Sequence, residues 1–134
     1  SLADELRTMH DYLELARLQL GNRLEYSEHI DPAALTLAVP KFSLLLLVEN
    51  AIKHGLAPRP QPGILRVVID CQDGTLQMDV RNSGSLQSRT HSAPGIGLAN
   101  LERRLQLAYP DRATLILSED GDEVRARIRI EGCA

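Results

Sequence analysis

The sequence predicts an α+β domain: a two-layer sandwich with helices on one face of a mostly antiparallel sheet, preceded by an N-terminal heptad helix. Three observations carry this. Leucine-rich stretches near residues 2–20, 42–55 and 96–109 have helical spacing. Short runs at 24–30, 64–71, 75–81, 113–118 and 124–130 alternate apolar with polar residues and end in turn residues. The two kinds run helix, strand, helix, two strands, helix, two strands, which gathers helices on one side of a sheet.

The first helix carries Leu2, Leu6, Met9, Leu13, Ala16 and Leu20 at 4-3-4-3-4 spacing, with Glu5, Arg7, Asp11, Glu14 and Arg17 on the flanks. Such a heptad seam is expected to pack on a partner helix, either a second copy or an upstream helix; the alternative is this domain's own core. Residues 1–23 therefore read as a linker or coiled-coil-like helix, and 24–134 as the main domain. Residues 24–30 alternate as a half-buried strand, Asp31-Pro32 turns the chain, and 33–39 lead into the second helix. Three prolines and a glycine in LAPRPQPG exclude regular structure after it. Asp73-Gly74 between two alternating runs signals a hairpin. Residues 85–94 are small and polar, a loop by composition. The third helix presents Leu98, Leu101, Leu105 and Ala108, Pro110 breaks it, and a last hairpin follows.

Composition narrows the function. At 134 residues the chain is one domain with room for a real core. A net charge of −3 and the absence of a basic stripe leave no footprint for nucleic acid. Cys71 and Cys133 make no disulfide framework, no Cys or His pair has zinc spacing, and a reducing compartment fits. No apolar run approaches the roughly 20 residues of a membrane span, and no signal peptide is visible. Because the chain opens without Met and apparently in mid-helix, it is expected to be part of a longer protein. His10, beside the seam and followed by Asp11, is an accessible histidine of the phosphate-acceptor kind; like His29 and His91 it reads first as an ordinary surface residue.

The stretch FSLLLLVENAIKHG stands apart. Pro40 precedes it, and Gly55 sits where a helix would stop. Its apolar residues surround the helix almost completely, as in a buried rod. Yet Asn50, Lys53 and His54, at i, i+3 and i+4, set a polar window on one face, beside Glu49. Two more polar islands follow, Asn82-Ser83-Gly84 and Gly95-Ile96-Gly97-Leu98-Ala99-Asn100. A glycine pair opening a helix offers backbone N–H groups suited to phosphate, although glycine also serves plain turns. Neither a P-loop nor a strand–GxGxxG–helix unit occurs.

In this order the islands resemble the GHKL ATP-binding fold: ENAIKHG its N-box, VRNSG its first glycine box, GIGLANLERRL its second. The nearest resemblance is to LytS/YehU/AlgZ-type sensor histidine kinases, through VPKFSLLLLVENAIKHG and through YLELARLQLGNRLEY ahead of it. It covers nearly the whole chain. It implies an ATP-binding catalytic domain that passes the γ-phosphoryl of ATP to a histidine on a dimerisation helix upstream of residue 1, and then to a response regulator, possibly of LytTR type. It further implies a homodimeric parent protein, a cytoplasmic catalytic domain and an inner-membrane sensor.

By the same resemblance Asn50 holds Mg²⁺ through its side-chain oxygen, and Lys53 and His54 face the phosphates and ribose. Gly95, Ile96, Gly97, Leu98 and Asn100 form the second box, and residues 85–94 a short ATP lid. Glu49 is a possible catalytic residue only, because the general base of other GHKL enzymes lies one turn earlier, at Leu46 here. Asn82 and Gly84 match the adenine-binding box. Three departures stand out. Asn82 replaces the usual aspartate, Leu86 the second glycine, and Gly121-Asp122 a Gly-Thr pair. The resemblance thus leaves two readings, a kinase domain that binds Mg-ATP without phosphorylating itself, and a degenerate module that keeps the fold for dimerisation or partner binding. A serine kinase of an anti-sigma-factor type shares the fold but not the LVENAIKHG context.

Overall fold

The computed structural model describes residues 1–85 and 96–133, with the backbone alone for Ile96. Helix α1 spans Leu2–Leu20 and starts with its own cap: the Asp4 amide donates to the Ser1 hydroxyl, and the Asp4 carboxylate accepts in return. All six seam residues are buried, in one cluster with the second helix and the sheet. The expected packing on a partner helix is therefore corrected, in favour of the domain's own core. A 4-3-4 spacing draws an apolar stripe but does not say what covers it.

Strand β1 (Leu24–Ile30) leads through a short 3-10 turn (Pro32–Ala34) to α2 (Ser43–Ala51). The N-terminal amides of a helix lack partners inside it. Here Glu5 of α1 supplies them. Its carboxylate, 7% exposed, accepts from the Phe42 amide at 2.8 Å and the Leu44 amide at 3.2 Å. The negative charge also suits the positive end of the helix dipole. Replacing it by Glu5→Ala strands two amides in the interior. The expected loss is about 2 kcal/mol of stability, read as a lower urea midpoint, and Glu5→Gln should recover part of it.

At its other end α2 does not stop at Gly55. It runs on as a π-helical turn, Ile52–Leu56. Strands β2 (Gly63–Gln72) and β3 (Thr75–Ser83) form the first hairpin. Helix α3 (Ile96–Ala108) precedes the second hairpin, β4 (Ala113–Asp120) and β5 (Glu123–Ile130). The sheet order is β1-β2-β3-β5-β4. Among the described residues, β1 and β2 alone run parallel, joined through α2, as a parallel pair requires a long crossover.

Leu65, Val67 and Ile69 of β2, Leu76, Met78 and Val80 of β3, and Ala126, Ile128 and Ile130 of β5 are buried against the helices. Alternation sends Arg66, Arg81, Arg125, Arg127 and Arg129 to the opposite face. Asp79 lies on that face at 5% exposure, and Arg127 grips it with two hydrogen bonds, 2.6 and 2.8 Å. The guanidinium's protonated form gains from this grip. One layer of helices on one face of the sheet is what the sequence predicted.

Candidate functional site

The polar window of α2 opens into a cleft of about 190 Å³. Leu46, Glu49, Asn50, Lys53 and His54 form one wall, Gly97 and Leu98 at the start of α3 the other. Helical geometry puts the α2 residues on a common face, and the sheet brings α3 alongside. Lys53 reaches back to Glu49 at 3.5 Å, an i, i+4 pair with Lys53 67% exposed. Such a rim pair is weak, so the ammonium is held loosely. Asn50 and His54 are half-buried, and Leu98 is buried. A side chain added at Gly97 would meet Leu46 only at 3.5 Å, an ordinary contact. The protein's own packing therefore does not require glycine there.

Of the other predicted residues, three of those described lie off this cleft: Asn82, Gly84 and Asn100. Asn100 is exposed on α3 and does not line this cleft. Ile96 opens α3. Gly95, Leu86 and all of the expected lid except Ser85 lie outside the described residues. Asn82 and Gly84 belong to neighbouring ground. Gly84, with Arg59, Ser83, Ser85, Gly121 and Asp122, lines a second cleft of about 580 Å³.

The Gly84 amide donates to the Asp122 carbonyl at 2.9 Å, tying the end of β3 to the β4–β5 turn. Asp122 is exposed. Asn82, 2% exposed, lines neither cleft; its Nδ2 donates to the Ser83 carbonyl at 2.9 Å. It packs against Gly55, where an added Cβ would fall 2.1 Å from that nitrogen. With His54 on the first cleft and Ser83 on the second, the Gly55–Asn82 contact stands between them.

His10 is not a lone surface residue. Its Nε2 lies 2.6 Å from Glu28 Oε1, which also accepts from the Tyr26 hydroxyl at 3.0 Å. Burial, and then this bond to Glu28, push the Tyr26 phenol far above its usual range.

No protein-family model matches the chain. The sensor protein LytS of Staphylococcus haemolyticus is 31% identical over 127 residues, 86% of this chain and 22% of that protein. This chain is a homologue of the LytS-type sensor histidine kinases. It spans a quarter or less of the length of the curated relatives it matches. The solved catalytic domain of histidine kinase ThkA aligns with a TM-score of 0.76 at 16% identity, over 98% of this chain and 94% of that one. ThkA bound to the response regulator TrrA aligns at 0.70 and 12% identity, over 98% of this chain and 40% of that one. At such identities these two speak for the fold alone, and the fold is that of a histidine kinase catalytic domain.

Sequence reading of this LytS homologue missed three residues at the site. Tyr12 of α1 is half-buried against the core; burial first and the Glu49 charge second raise its phenol's pKa. Nothing in the local pattern marks it, because the influence crosses between helices. Arg59 lay in a stretch dismissed as loop. Gly55 was visible but was read as a helix stop, when its work is to let Asn82 in.

Asn82 also gives a prediction. Restoring the carboxylate by Asn82→Asp should tighten ATP about fivefold, roughly 1 kcal/mol. In the absence of nucleotide it should lower the melting temperature, because a buried carboxylate cannot donate to the Ser83 carbonyl. Calorimetric titration and a thermal melt read the two effects separately.

Proposed function

We propose that this chain is the ATP-binding catalytic domain of a two-component sensor histidine kinase. In this reading it presents the γ-phosphoryl of ATP to a histidine on a dimerisation helix, of the same or a partner protomer, from which the group passes to a response regulator. The observation that carries it is the cleft where the Asn50 amide, the Lys53 ammonium and the bare backbone of Gly97 converge, in a homologue of LytS.

The donor set fits a magnesium nucleotide. Asn50 offers an amide oxygen and Glu49 a carboxylate, the hard ligands that Mg²⁺ prefers. Mg²⁺, when bound, neutralises phosphate charge. Asn50 is assigned to hold the metal. Lys53 and His54 face the phosphates as hydrogen-bond donors, and Glu49 steadies Lys53 through the 3.5 Å pair rather than acting as a base. Gly97 lets the backbone at the start of α3 come close, where its amides favour an anion. Leu46 on one wall and Leu98 on the other give the cleft an apolar part that keeps water out. Gly84 and Asn82 are assigned to the base, with Gly95, Ile96, Leu98 and Asn100 in the phosphate-side box.

The ThkA–TrrA complex supports a response regulator as partner. A LytTR-type regulator, a homodimeric parent and a cytoplasmic position beneath an inner-membrane sensor complete the proposal. Among the described residues no helix is long and apolar enough to cross a membrane.

A second reading rests on Asn82. Its amide is spent on internal packing between α2 and β3, which favours a degenerate module with weak or no nucleotide binding. Calorimetric titration with ATP, with and without Mg²⁺, separates the two. The kinase reading expects Mg²⁺-dependent heat; none at millimolar ATP sinks it.

A further inference from the structure

We propose that Cys71 and Cys133 form an oxidisable thiol pair, closing to an internal disulfide that staples residues 131–133 onto the β2–β3 hairpin. Both cysteines are free, half-buried and packed against the same core cluster. Cys71 continues the core-facing series Leu65, Val67, Ile69 to the end of β2 and pairs with Leu76, which pairs in turn with Ile130. The three residues thus form one row across the sheet. After Ile130 the chain doubles back. The Glu131 amide donates to the Arg112 carbonyl at 2.9 Å, and Gly132 takes a positive φ of 77°.

The Cys133 amide then donates to the Gly74 carbonyl at 2.7 Å, in the very turn that follows Cys71. Cys133 is thereby brought to the end of β2, where Cys71 is the next-to-last residue. Burial raises the Cys133 thiol's pKa, the Cys71 charge adds to this, and Arg112 opposes it. The two sulfurs sense each other. Arg112 only partly offsets the rise, so attack by Cys133 speeds up as pH rises and more thiolate forms.

A low-molecular-weight disulfide such as oxidised glutathione is the oxidant. One protein thiolate attacks it, forming a mixed disulfide and releasing one reduced glutathione. The second cysteine gives up its proton and attacks the protein sulfur, forming the internal bond and releasing the second reduced glutathione. Two protein thiols are oxidised and one glutathione disulfide is reduced.

The test incubates the native chain with oxidised glutathione, alkylates remaining thiols and measures intact and peptide masses without reductant. The expected product is monomeric, two hydrogens lighter, resistant to alkylation, and yields a peptide joining Cys71 to Cys133. Its melting temperature rises by several degrees and falls back with dithiothreitol. Two alkylated thiols, glutathione adducts without the internal link, or links only between chains would each overturn the proposal. Cys71→Ser and Cys133→Ser should each abolish the linked peptide; mapping on the unmutated chain decides the matter even if a variant folds poorly.

Discussion

Asn50→Ala is expected to abolish Mg²⁺-dependent nucleotide affinity while leaving the melting temperature nearly unchanged. The residue sits half-buried on the wall of the α2–α3 cleft, so its truncation removes little packing. What it removes is the amide oxygen assigned to the metal. A loss of roughly 100-fold in affinity, about 2.7 kcal/mol, is the expected scale. Without Mg²⁺ the variant and the parent chain should bind ATP alike. That comparison matters, because a variant weakened equally with and without the metal would assign Asn50 to the nucleotide and not to the ion. Titration calorimetry in magnesium and in EDTA, alongside a thermal melt, reads all three quantities.

Gly55→Ala should do the reverse, damaging the fold first and the site as a consequence. An added Cβ would fall 2.1 Å from Asn82 Nδ2 and 2.8 Å from its Cγ. Asn82 is 2% exposed, so it has nowhere cheap to go. Overpacking of this kind costs about 3 kcal/mol. The clash is with one side chain, which makes the claim sharp. In an Asn82→Ala background the offending atoms are gone, and Gly55→Ala should become nearly neutral, giving a coupling of about 3 kcal/mol in a double-mutant cycle. Full additivity would mean that Gly55 is needed for the π-helical turn itself. Chemical denaturation of the four chains measures the cycle.

Much of this architecture was legible in advance. Alternation placed all five strands within a residue or two, because a strand with one buried face must repeat every second position. The polar window of α2 was legible too, since Glu49, Asn50, Lys53 and His54 interrupt an otherwise apolar rod.

Three features were not legible, for related reasons. The α1 seam announced a buried face but not its partner, and the nearest apolar surface was the domain's own. Glu5 looked like a flanking charge because its partners, Phe42 and Leu44, lie far off in sequence. Asn82 read as an adenine contact, but the side chain it meets depends on Gly55 and on a helix that overruns its apparent stop. In each case the pattern fixes what a residue does along its own element and leaves open what approaches from another.

The grip of Glu5 on the beginning of α2 makes these two helices a linked lever. A torque on α1 arrives at the first turn of α2 through two hydrogen bonds. The rigid length of α2 would then convert that torque into a tilt of the face bearing Asn50 and Lys53, so that mechanical strain entering at the N-terminal helix would reset the aperture of the cleft directly.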